Sequence, residues 1–110
     1  MTATELMIGD WVFNTHNRKP EQVAKIACRL VMLDYNDMYE YDLIEPIPLT
    51  YEFLRKIFPN TNDGVYWHGR KGKFEFTMEN GANEITVLIE YVHELQHALR
   101  LCGIEKEIEL

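Results

Sequence analysis

The stretch Leu88–Gly103 constrains the fold more than any other part of the chain. At about 100° per residue, Leu88, Tyr91, Val92, Leu95, Leu99 and Cys102 gather within roughly ±60° of one direction. That pattern predicts a helix with one apolar stripe, beginning somewhere between Leu88 and Tyr91. Such a stripe needs a surface to lie on. Because the rest of the chain reads largely as short strands, the helix is expected across the face of a sheet, supplying about half of its core.

The same stretch holds His93-Glu94-Leu95-Gln96-His97, a match to H-E-x-x-H. Histidines at i and i+4 share a helical face and can grip one zinc ion, and the intervening glutamate can act as a base on metal-bound water. Here the wheel places His93 and His97 roughly 140° and 180° from Leu88, on the outer face with Glu90 and Arg100. A hydrolase needs that face to line a cleft and needs a third ligand. The longer zinc pattern asks for glycine three residues after the second histidine and a histidine or aspartate three residues beyond it. Arg100 and Gly103 stand there instead. Glu105, Glu107 and Glu109 lie in a tail too short for a second helix. His68, His16 or Cys102 reach the site only through folding that sequence does not show. The match is therefore read as solvated helix surface. The alternative is a minimal zinc hydrolase with His93 and His97 as ligands and Glu94 as base.

Size and charge bound the remaining options. The 110 residues are read as one domain, 1–110, with an ordinary apolar content of 46%. No apolar run approaches the ~18 residues of a membrane span. The start, Met-Thr-Ala-Thr-Glu-Leu-Met, lacks the pattern of a signal peptide, so a cytoplasmic protein is expected. Cys28 and Cys102 are then expected as buried free thiols. A net charge of −7 opposes nucleic-acid binding, which draws on basic surface. The basic clusters, Arg18-Lys19 and Arg70-Lys71-Gly72-Lys73, read as loop tips, and the second carries a weaker nucleic-acid reading.

Along the chain, residues 8–14 read as a first strand and Asn14–Pro20 as a turn-rich loop. Glu21–Ala27, Leu30–Leu33 and Met38–Ile44 follow as strands. In Glu45-Pro-Ile-Pro-Leu-Thr50 two prolines one residue apart enforce an extended connector. Thr50 is a good N-cap for a helix over Tyr51–Phe58. Pro59 and the turn Asn60–Gly64 end it. Val65–His68 and Lys73–Met78 flank a turn at Gly69–Gly72. Asn80-Gly81 signals another turn, and Glu84 to about Leu88 is the last strand, with Ile85 and Val87 inward. The tail, Ile104–Leu110, is expected to be short and ordered, since Ile104, Ile108 and Leu110 need cover. Tyr35, Tyr39, Tyr41, Tyr66 and Trp67 exceed what one small core needs, which points to a contact patch. The chain has no serine, and no glycine-rich loop precedes a helix, so serine nucleophiles and nucleotide cradles are not indicated.

The segments Ile8-Gly-Asp-Trp-Val12, Glu45-Pro-Ile-Pro-Leu-Thr50 and Tyr91–Gly103 together resemble a family of small proteins of uncharacterised function. Its members are encoded by gut anaerobic bacteria and their prophages and mobile elements. The resemblance implies no activity, cofactor or catalytic residue. It implies a Tyr-x-His-x-Leu-Gln core (Tyr91, His93, Leu95, Gln96) with Glu94 and His97 free to vary, so that His93 and Gln96 serve helix–sheet hydrogen bonding or a shared surface.

The expectation is a single-domain α+β protein: a small antiparallel curled sheet, for which an SH3-like arrangement is one candidate, a short middle helix and a C-terminal helix packed on the sheet. Its expected role is non-enzymatic, as an interaction or accessory protein of phage or mobile-element origin. No cofactor is assigned, with zinc as the alternative. The expected partner is another protein or a second copy of the chain, with no membrane involved and nucleic acid only as the weaker reading at 70–73.

Overall fold

The computed structural model describes residues 1–59 and 64–110. Part of the Asn60–Gly64 turn therefore lies outside the described residues. The fold is α+β, with two antiparallel sheets rather than one and a C-terminal helix after the last strand. The chain divides into two compact units, one formed by residues 1–47 with Leu110 and the other by 48–109.

The first unit contains β1 (Trp11–Asn14), β2 (Lys19–Ile26), β3 (Leu30–Leu33), β4 (Met38–Glu40) and β5 (Ile44–Glu45). Their order in the sheet is β4-β3-β2-β1-β5. The register of β2 on β3 shifts between Val23 and Lys25, which lets one long strand serve both sides of a curled sheet. Alternation then places Val12, Val23, Val31, Leu33 and Ile44 in a common core, which Leu6 joins from ahead of the first strand.

Three boundaries differ from the sequence reading. The first strand starts at Trp11, because Gly9 turns with φ 95° and Asp10 donates its N–H to Met7 O. β2 begins at Lys19 and includes Pro20. The strand expected over Met38–Ile44 breaks at Tyr41–Leu43 into a turn of 3-10 helix, and Ile44 restarts as β5 against Asn14.

The second unit contains α1 (Tyr51–Ile57), β6 (Val65–Arg70), β7 (Lys73–Asn80), β8 (Asn83–Ile89) and α2 (Val92–Cys102). The prolines explain why the first sheet does not continue into it. Pro46 and Pro48 lack an N–H for a ladder, and Pro48 makes only an isolated bridge to Tyr91. Thr50 caps α1, its Oγ1 accepting from Phe53 N at 3.2 Å. The sheet runs β6-β7-β8 through two tight hairpins. In the first, Arg70 opposes Lys73 across Lys71 (φ 51°) and Gly72 (φ 82°). In the second, Asn80 opposes Asn83 across Gly81 (φ 62°) and Ala82. Positive φ at the first or at both central positions suits the strand twist of a two-residue hairpin.

Phe74, Phe76 and Met78 on β7 are buried, and α2 packs on β7 and β8. Phe58 meets Phe76 edge-on, with ring centroids 6.5 Å apart. Of the tail, Ile108 is buried while Leu110 stays 45% exposed, so only part of the expected cover is supplied. No helix among the described residues is long and apolar enough to cross a membrane.

Candidate functional site

The start of α2 decides what the H-E-x-x-H stretch can do. Leu88 belongs to β8, not to the helical stripe, and is 49% exposed. The helix begins at Val92, with Tyr91 as an extended N-cap at φ −123°. Tyr91 makes no side-chain cap hydrogen bond to the first turn. Glu94, three residues past Tyr91, instead folds back on the chain entering the helix. Its Oε1 accepts from Glu90 N and from Tyr91 N, each at 3.0 Å. The carboxylate that would serve as the base of a hydrolase is thus the acceptor that closes the helix start.

The two histidines depart from the surface expected of them. His93 is buried at 6% exposure, and His97 and Gln96 are half-buried. The His93 ring stacks on Tyr91 at 6.0 Å and 16°, and His97 stands edge-on to it at 5.7 Å and 81°. The wheel failed for a physical reason: it measures angles from one apolar stripe and assigns everything opposite to water, whereas α2 is covered on more than one side. Buried along it are Val92, His93, Leu95, Ala98, Leu99 and Cys102. A catalytic zinc site takes three protein ligands and an open position. Among the described residues, no group of three or more His, Cys, Asp or Glu side chains is placed to hold a metal ion.

The far end of α2 is closed by Gly103 at φ 76°, whose N–H reaches Arg100 O, while Ile104 N reaches Leu99 O at 2.9 Å. Asn80, at the end of β7, donates its side-chain amide to Gly103 O at 2.8 Å and to Cys102 O at 3.3 Å. The buried Cys102 thiol donates to Met78 O at 3.5 Å. Cys28, expected to be buried, is exposed.

The expected aromatic excess resolves into two groups. Tyr39 OH accepts from Asn17 Nδ2 at 3.0 Å, Tyr41 OH donates to Ala27 O at 2.5 Å, and Trp67 packs its ring near those of Tyr51 and Phe74. These three serve the fold. Tyr35 and Tyr66 remain at the surface, 82% and 43% exposed. Tyr66 stands on the outer face of the three-stranded sheet, in a row with Thr77 and Thr86. The next row is His68, Glu75 and Leu88. Glu75 binds Arg70 at 2.5 Å and lies 3.7 Å from His68.

The basic turn at 70–73 borders a cavity of about 460 Å³ lined by Thr50, Tyr51, Gly69, Lys71, Phe74 and their neighbours. Two of its cations are offset within the unit, Arg70 by Glu75 and Lys73 by Glu90 at 4.0 Å.

A buried polar cluster in the first unit escaped the sequence reading. Asn14 and Glu21 are both buried, and Asn14 Nδ2 donates to Glu21 Oε1 at 2.6 Å. Asn17 Nδ2 donates to Glu21 Oε2 at 3.2 Å, and Asn14 Oδ1 accepts from His16 N at 2.9 Å. The signal for it was parity: Glu21 lies two residues before Val23 and so points to the same side of β2. No family model, curated protein or solved structure matches the chain.

Proposed function

We propose that this protein is a small non-enzymatic interaction module, an accessory protein that works by contact with other polypeptide. The observation that carries the reading is the open sheet of the second unit, whose outer face leaves Tyr66 and Leu88 43% and 49% exposed. Exposed aromatic and apolar side chains on an open sheet face suit protein contact. The engagement of Glu94 at the start of α2 weighs against the zinc-hydrolase alternative. The net charge of −7 and the offset cations at 70–73 weigh against nucleic acid.

Two finer readings belong to the same proposal. The order β4-β3-β2-β1-β5, with a 3-10 turn before the last strand, supports an SH3-like arrangement of the first unit. The unpaired thiols Cys28 and Cys102 suit a reducing, cytoplasmic setting, and the resemblance to prophage and mobile-element proteins supports an accessory role.

The test is metal content and hydrolytic activity of the protein purified without a histidine tag, beside His93→Ala and Glu94→Gln. The expected result is substoichiometric zinc and no peptide hydrolysis above background in any of the three. Near-stoichiometric zinc lost in His93→Ala, with hydrolysis lost in Glu94→Gln, would replace this reading with the hydrolase.

A further inference from the structure

We propose that the outward edge of β8 pairs antiparallel with the same strand of a second copy of this chain, about a two-fold axis at Thr86. The inference rests on the interaction reading above and names its partner.

The edge is defined by the hydrogen bonds of the sheet. Glu79 donates its N–H to Gly64 O at 2.8 Å, away from β8. The opposed residues Glu79 and Glu84 are therefore a pair that exchanges no hydrogen bonds, and so are Thr77–Thr86 and Glu75–Leu88. The N–H and C=O groups of Glu84, Thr86 and Leu88 consequently point out of the sheet. Among the described residues none of these groups has a backbone partner. The inner face tells the same story. Phe76 and Met78 on the central strand are 0% exposed, while Val87 and Ile85, opposite them on β8, are only half-buried.

Exposed edges are ordinarily blunted by proline, lysine, a bulge or brevity. Between Ile85 and Ile89 this strand has no proline and no charge, and its register on β7 is unbroken. The opposite edge, β6, is different: it carries Gly69 in its interior and His68 and Arg70 on its face.

The second copy is favoured by self-complementarity. With Thr86 on the axis, Thr86 faces Thr86, Glu84 faces Leu88 and Ile85 faces Val87. Over Glu84–Leu88 no like charges oppose each other and outward groups meet outward groups, and the pairing ends before Glu90, whose carbonyl already accepts from Leu49 N at 3.0 Å. The half-buried Ile85 and Val87 rows then continue from one copy into the other. Each copy carries −7, so long-range repulsion opposes the pairing, and added salt should tighten it. An interface built on ion pairs would show the reverse.

The experiment is sedimentation equilibrium of the whole chain over a wide concentration range, with circular dichroism to verify each variant's fold. The wild type is expected to pass from monomer to dimer, and more readily at high salt. Thr86→Lys, which sets two cations against each other on the axis, should leave the monomer. Leu88→Lys faces Glu84 of the second copy and should tighten the dimer about tenfold, and Leu88→Glu should loosen it about tenfold. A wild type that stays monomeric throughout overturns the pairing. So does a dimer indifferent to Thr86→Lys, or one that both Leu88 variants shift in the same direction. None of these results bears on zinc or hydrolysis, so the pairing and the interaction reading fail separately.

Discussion

The five-stranded sheet of the first unit ends on strands of three and two residues, Met38–Glu40 and Ile44–Glu45, whereas one end of the three-stranded sheet is the seven residues Asn83–Ile89. The polar chemistry is distributed in the opposite sense. In the first unit Asn14 and Glu21 are buried and bonded to each other. In the second, Phe76, Met78, Leu54 and Leu95 are each fully buried, and the open hydrogen-bonding groups lie along β8. Short edges and a satisfied polar cluster make a sheet that is complete in itself. A long edge with neither proline nor lysine makes one that can be extended. Within one small chain, one sheet ends on short strands at both edges and the other leaves a seven-residue edge open.

Substitutions in the two units should differ in cost, with the largest loss in the core of the second. Phe76→Ala removes a fully buried ring from the second unit and should cost about 3–5 kcal/mol in urea unfolding. Glu21→Ala leaves Asn14 Nδ2 buried without its acceptor and should cost about 2–3 kcal/mol, with Glu21→Gln costing less because one oxygen remains. If both Glu21 variants are neutral, the polar cluster does not hold the first unit, and the contrast between the units weakens. Glu94→Ala removes the acceptor for two N–H groups and should cost about 1 kcal/mol, read as lost α2 helicity on heating.

Local chemistry was legible in the sequence wherever it dictated conformation locally. Thr50 as a cap, the turns around Lys71-Gly72 and Gly81, and the inward parity of Ile85 and Val87 each follow from one residue's geometry. The C-terminal helix and its packing on strands followed from periodicity. Features set by distant parts of the chain were not legible. Leu88 fits the helical wheel as well as it fits a strand, and only the pairing with Glu75 assigns it to β8. His93 lies opposite the apolar stripe, yet it is buried, because a wheel carries no information about a second covered side. Glu94 reads as a catalytic base in a motif and as a cap in a helix. The start at Val92, one residue past Tyr91, decides for the cap. The division into two sheets was written in Pro46 and Pro48, but as a loss of donors rather than as a pattern.

The most direct test of the open β8 edge and its pairing is amide hydrogen exchange along β8 measured at low and high protein concentration. Glu84, Thr86 and Leu88 should exchange rapidly in dilute solution and become protected as concentration rises. Ile85 and Val87, bonded to β7, should be protected at both. Outward amides that exchange equally fast at every concentration would contradict it.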